Sequence, residues 1–263
     1  MAVDLEGGCR VTTMNEGDAR VFGTLKVWNQ IGRASGAKAI SMRVLEFGPG
    51  RSPGLRNRES DEVIYVLDGE CSVSIDGVAY EVGPETGVYL RPGQTLVVEN
   101  SGPGVVRFIS SQCPEETVEI VDDVVSSASD QPAPIVRLSD RRALPTADRW
   151  YRVLVDDEIG SEQVTQFVGS IPPGRAPDHF HEYEEVLFIL RGEGRMWAGE
   201  TNTPIGPGSC IYLPKRQVHC VENTGDGELR LLGVFYPAGS PAVRYSKSRT
   251  SRNGVSASLK SGR

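Results

Sequence analysis

The sequence predicts an all-β chain built twice over, as two tandem units of sandwich or barrel form, and three observations lead there. Short runs rich in Val, Ile, Tyr, Phe and Leu are cut at close intervals by turn signals, among them Asp76-Gly77 before Val78. Helical periodicity is nearly absent, and 30 glycines with 17 prolines supply the turns such a chain needs. The third observation is that the chain repeats itself.

The stretch ESDEVIYVLDGECSVSIDG aligns with EYEEVLFILRGEGRMWAGE, placing Glu62 opposite Glu185 and Gly69 opposite Gly192, each pair 123 residues apart. The same register pairs Gly83 with Gly206, Tyr89 with Tyr212 and Asn100 with Asn223 without a gap. Upstream, PGRSPGLRNR matches PGRAPDHFH once one residue is dropped, so Gly50 meets Gly174. A duplicated domain follows, and short strands at regular spacing argue for closure of each copy into a sandwich or barrel.

The boundaries expected from the repeat are a first unit over 1–113, a linker over 114–134, a second unit over 135–240 and a tail over 241–263. The linker, PEETVEIVDDVVSSASDQPAP, is acidic and then rich in Ser and Pro. The tail carries six basic residues and no acidic one, and is expected to be disordered, with an anion-binding or partner-binding arm as the alternative.

A net charge of -7 sets the body of the protein against phosphate backbones and anionic lipid, so nucleic acid and membrane are excluded as expected partners. No segment reaches the ~18 apolar residues of a membrane span, and the first residues hold no signal-like apolar run. Five cysteines without CxxC spacing read as reduced thiols, which makes a cytoplasmic location the expectation. Two pseudo-symmetric barrels in one chain are compatible with a monomer or a homodimer.

The chain has three histidines. His179, His181 and Glu185 are separated by even numbers of residues, so on a strand all three would share one face. His219 follows in the next matched block and completes three imidazoles and a carboxylate. That set suits one divalent transition metal (Fe, Mn, Ni, Co or Zn, with Fe or Mn favoured) and leaves positions open for chemistry. Glu184 competes for the carboxylate role, but parity turns it to the opposite face. By the same alternation Cys220 should face away from His219, while Gln217 shares its parity. Tyr212 and Gln217 are the weak candidates for a catalytic role beside the metal.

The stretches GRAPDHFHEYEEVLFILRG and GSCIYLPKRQVHCVEN resemble the two sequence motifs of the cupin superfamily. The duplication makes the chain similar to a bicupin, over roughly residues 38 to 113 and 160 to 237. The resemblance implies two double-stranded β-helix (jelly-roll) barrels, with metal held in the second by His179, His181, Glu185 and His219. One departure is that four residues, not five, separate Gly174 from His179.

At the matching positions the first copy carries Arg56, Arg58, Glu62 and Leu96, so its barrel is expected to hold no metal. A retained carboxylate needs a cation, which Arg58 or Arg56 could supply in place of a metal. The alternative is that these arginines bind a carboxylate-bearing ligand.

No P-loop, dinucleotide glycine pattern or GxSxG competes. The first functional expectation is a non-haem dioxygenase acting on a small oxygenated organic substrate. The same metal used as a Lewis acid would give an isomerase, decarboxylase or lyase, which needs an acid or base besides the ligands. A small-ligand-binding cupin without enzymatic activity is the third.

Overall fold

The computed structural model describes residues 1–122, 134–242, 244–247 and 257–260. Two large sheets and two small ones carry nearly all of the order. One large sheet holds, in spatial order, Ile135–Arg137, Thr86–Leu90, Asp61–Asp68, Val106–Cys113, Met42–Phe47, Leu25–Ile31 and Arg20–Phe22. The other holds Val3–Asp4, Arg10–Thr13, Ser209–Leu213, Glu184–Arg191, Leu229–Tyr236, Thr165–Ile171, Arg149–Val155 and Leu144–Thr146. Each closes into a barrel with a smaller sheet of its own half. For the second barrel this is Gly174–Arg175, His219–Asn223, Gly194–Ala198 and Thr201–Ile205.

Three apolar clusters follow from the pattern of the strands. Leu45, Phe47, Ile64, Val73 and Phe108 fill the first barrel, while Ile189, Met196, Ile211, Leu231 and Phe235 fill the second. A third cluster joins Val44, Tyr65 and Ile109 to Val168, Phe188, Tyr212 and Val234, so the two large sheets pack back to back. Asp61–Asp68 and Glu184–Arg191 are therefore buried along both faces for their first six residues, and after an opening pair of carboxylates each reads as a continuous apolar run. Cys71–Ile75 in a small sheet faces the core on one side only, and alternates accordingly.

The turns explain why the repeat kept its glycines. Gly69 and Gly192 adopt φ of 83° and 86°, and a Cβ on Gly192 would lie 2.7 Å from the Leu229 Cα. Asp76 and Gly77 both take positive φ and link Ile75 to Val78 as a two-residue hairpin, as the Asp-Gly signal predicts. Asn100 and Asn223 make the same clamp: each donates to a strand carbonyl, Phe47 or Ile171, and to a loop carbonyl, Gly104 or Gly227.

Strand pairing crosses the boundaries drawn from the repeat. Arg10–Thr13, from the start of the chain, pairs with Ser209–Leu213 of the second barrel. Ile135–Arg137 pairs with the equivalent strand of the first, Thr86–Leu90. Each barrel thus has one sheet edge covered by the segment preceding the other barrel. Within the expected linker, Glu119–Val121 pairs with Gly54–Arg56, and residues 123–133 lie outside the described residues. Within the tail, Arg244–Lys247 pairs with Ala257–Lys260 and Tyr245 bridges to Phe180. Residues 243, 248–256 and 261–263, where disorder was expected, lie outside the described residues.

All five cysteines are buried and unbonded to one another. Burial pushes the thiols of Cys9 and Cys71 up to about 12, and those of Cys113 and Cys210 up as well, so they stay protonated at neutral pH. These four should resist Ellman's reagent at pH 8 in native protein and react fully in guanidinium, followed by absorbance. Deleting residues 1–13 removes buried Cys9 and Val11 and bares the edge of Ser209–Leu213. The expected loss is about 2 to 4 kcal/mol, read as a fall in Tm of roughly 5 to 15 °C by calorimetry.

Candidate metal centre

The four candidate ligands come from three parts of the second barrel. Glu185 stands near the start of Glu184–Arg191 in the large sheet, and His219 opens His219–Asn223 in the small one. His179 and His181 lie on the segment joining the two. That segment is not the single strand expected over 179–185. His179 and Phe180 make isolated bridges, residues 181–183 fall outside any strand, and the ladder resumes at Glu184.

Backbone pairing nevertheless brings the rings together. The His179 N–H donates to the His219 carbonyl at 3.0 Å and the His219 N–H donates back at 2.8 Å. Directly opposed residues of an antiparallel pair project to the same face, and their ring centroids are 4.5 Å apart. One nitrogen from each of His179, His181 and His219 lies within 4.8 Å of the others. The Glu185 Oε2 is 3.5 Å from the His219 Nε2 and 3.9 Å from the His181 Nε2. His181, Glu185 and His219 are buried.

The tautomers suit ligation. The His219 Nδ1 lies 2.8 Å from the Gln217 carbonyl and the His179 Nδ1 lies 3.1 Å from that of Pro177. A carbonyl only accepts, so each Nδ1 carries the proton and a neutral ring offers its Nε2 lone pair. Tyr183 stacks on His181 at 12° between planes and donates its hydroxyl to the Ser240 carbonyl, which holds the third ring in place.

The four candidate ligands line a cavity of about 80 Å³, room for several waters or one small organic molecule. Its wall is largely apolar: Phe167, Ile171, Leu187, Val221, Leu231 and Phe235. Arg149, Trp150 and Tyr151, from the hairpin that opens the second half, also line it. No repeat position or motif marked these three in the sequence, because the repeat carries no recognisable signal so far upstream.

Neither weak catalytic candidate lines this cavity. Tyr212 belongs to the apolar cluster between the barrels, where its hydroxyl donates to Glu184. Gln217 turns its amide to the Val218 carbonyl and lies against Gly7, and it serves His219 through its backbone. Glu184 faces away from the cavity and accepts from the Lys38 and Ala39 amides at 2.9 and 2.8 Å. Cys220 also turns away, and its sulfur accepts from the Arg175 Nε at 3.3 Å. Of the aromatic residues flanking the motifs, Phe167 lines the cavity, Phe188 and Tyr212 sit between the barrels, and Phe180 stacks on Tyr245.

The first barrel answers the retained carboxylate differently from the expectation. Glu62 is buried, but its cation is Arg43, at 2.5 Å, and not Arg56 or Arg58. Asn57 and Ser110 donate to the same carboxylate. Arg56 bonds Thr95, Arg58 pairs with Glu119 at the surface, and Leu96 is buried. The reason is the loop path. Glu119–Val121 beside Gly54–Arg56 draws Arg58 outward, while Arg43, on Met42–Phe47, already faces the barrel interior. Replacing Glu62 by Gln should cost about 3 to 5 kcal/mol by leaving the Arg43 charge uncompensated. Arg58→Ala should leave the urea midpoint unchanged, so equilibrium unfolding of the two variants separates the roles.

Comparison with known proteins agrees with this architecture. The family profile described as Cupin domain matches residues 43–111 and 167–235. Quercetin 2,3-dioxygenase of Bacillus subtilis is 22% identical over 272 residues, covering 84% of this chain and 80% of that protein. The oxalate-binding protein of Thermotoga maritima is 36% identical over 67 residues, 25% of this chain and 55% of that protein. Auxin-binding protein 1 of Arabidopsis thaliana is 32% identical over 86 residues, 29% of this chain and 43% of that protein. A solved structure of Bacillus subtilis oxalate decarboxylase superposes with a TM-score of 0.72 at 14% identity, covering 88% of this chain and 78% of that one. With two matched domains and the fold they share, the chain belongs to the cupin family, in its two-domain form.

Proposed function

We propose that the protein is a metal-dependent dioxygenase acting on a small oxygenated organic molecule, with one divalent transition metal held by His179, His181, Glu185 and His219. The observation that carries this reading is the convergence of three imidazoles and one carboxylate at the wall of an otherwise mostly apolar cavity. Two of the rings present Nε2 by virtue of their Nδ1 hydrogen bonds, and the nitrogen spacing suits ligands sharing one ion. A divalent ion in such a set supplies Lewis acidity and, as iron or manganese, one-electron redox capacity.

The chain's own residues do the rest. Phe167, Ile171, Leu187 and Phe235 exclude water and strengthen the electrostatics of whatever enters. The lining also bears on the reaction class. Apart from the four donors, its titratable side chains among the described residues are Arg149 and Tyr151. An isomerase or decarboxylase working by Lewis acidity needs a positioned acid or base, and neither a further carboxylate nor a further imidazole is present there. The relation to quercetin 2,3-dioxygenase spans most of this chain and supports the same choice. Five buried thiols without a disulfide fit a reducing compartment, in keeping with a cytoplasmic enzyme.

The test begins with metal content by mass spectrometry on untagged protein. About one iron or manganese per chain, lost in His219→Ala and kept in Arg58→Ala, is the expected result. Oxygen uptake with catechols, flavonols and hydroxyketones should then depend on that metal. Turnover of the same compounds at equal rate without oxygen would move the activity to the Lewis-acid class, and absence of stoichiometric metal would remove the reading.

A further inference from the structure

Among the described side chains lining the metal-site cavity, Arg149 is the one Arg or Lys. It stands directly opposite Thr146 across the hairpin formed by Leu144–Thr146 and Arg149–Val155, whose turn holds Ala147 at φ 58°. The Arg149 side chain is only 11% exposed. Its Nε donates to the Asp148 carboxylate at 2.9 Å, a group 63% exposed and therefore largely solvated. Among the described lining residues the one carboxylate is Glu185, which faces His181 and His219, while Phe167, Ile171, Leu231 and Phe235 carry no charge.

A guanidinium held at an apolar cavity wall favours an anionic ligand group, because burial strengthens the attraction and its planar fork matches a carboxylate. We propose that Arg149 is a specificity-determining residue that receives the carboxylate of the substrate. The substrate class is then a small organic acid, bound with its carboxylate at Arg149 and an oxygen donor toward His179, His181, Glu185 and His219. The orientation of this acid at the metal rests on the metal-site reading above, whereas the carboxylate preference of the cavity does not.

The arrangement is tested with benzoate and its neutral isostere benzamide, and with propionate against propionamide, by ligand-detected NMR titration. Wild type, Arg149→Gln and Arg149→Lys are compared, with metal content and thermal unfolding measured on the same samples. Wild type should prefer each carboxylate over its amide. Arg149→Gln should weaken carboxylate binding roughly 10- to 100-fold, the range for a hydrogen bond to a charged partner, and leave amide binding unchanged. Arg149→Lys should retain part of the preference.

Equal affinity for acid and amide in wild type, undetectable binding of both, or a carboxylate affinity in Arg149→Gln within twofold of wild type would overturn the assignment. Normal metal content with no carboxylate preference would overturn this inference alone. A carboxylate preference that depends on Arg149 in protein without stoichiometric metal would overturn the metal reading and uphold the anion subsite.

Discussion

Glu184 and Glu185 are consecutive, both buried, and face opposite ways, and the molecule is organised around that alternation. Glu185 points into the second barrel toward the histidines, while Glu184 points into the seam between the barrels and accepts two amides from the first half. A strand buried on both faces has no solvent side on which to place a charge, so each carboxylate needs partners where it stands. The site and the seam are thereby coupled through one backbone segment. The first barrel repeats the device with Asp61, which accepts the Tyr89 hydroxyl at 2.5 Å, and Glu62, which meets Arg43.

The two barrels are two solutions to the same electrostatic problem. Each keeps a buried carboxylate at equivalent positions, and each must neutralise it without water. In the first the neutralising group is covalently part of the chain and arrives from Met42–Phe47, with Asn57 and Ser110 completing the hydrogen bonds. In the second the space beside the carboxylate is occupied by imidazoles, which bring lone pairs rather than a permanent charge.

Much of this was legible in the sequence because it depends on spacing within one segment. The duplication, the turn glycines and the four donors follow from offsets and parity, and parity separated Glu184 from Glu185 correctly even though residues 181–183 leave the strand. What depended on partners far along the chain was not legible. Arg43 lies 19 residues before Glu62 on a different strand, and nothing in the repeat marks it as the carboxylate's partner. Tyr212 read as a catalytic candidate because alternation gives two faces without saying which is the cavity. Gln217 shared the parity of His219, but it sits in a turn before the strand begins, where alternation no longer governs direction.

The exchange of edge strands has a consequence for the order in which the molecule can be completed. Arg10–Thr13 precedes its partner Ser209–Leu213 by about 200 residues, a delay of roughly 10 to 40 s at ordinary rates of translation. Through that interval Val11 and Cys9 have no native barrel to enter, although the strands of the first barrel from Arg20 to Val121 are already made. Ile135–Arg137, by contrast, finds a finished neighbour as soon as it appears. The chain thus closes its first barrel early and its second only when Arg10–Thr13 meets Ser209–Leu213, so the half that carries the histidine cluster is completed late, by a strand made before the first barrel.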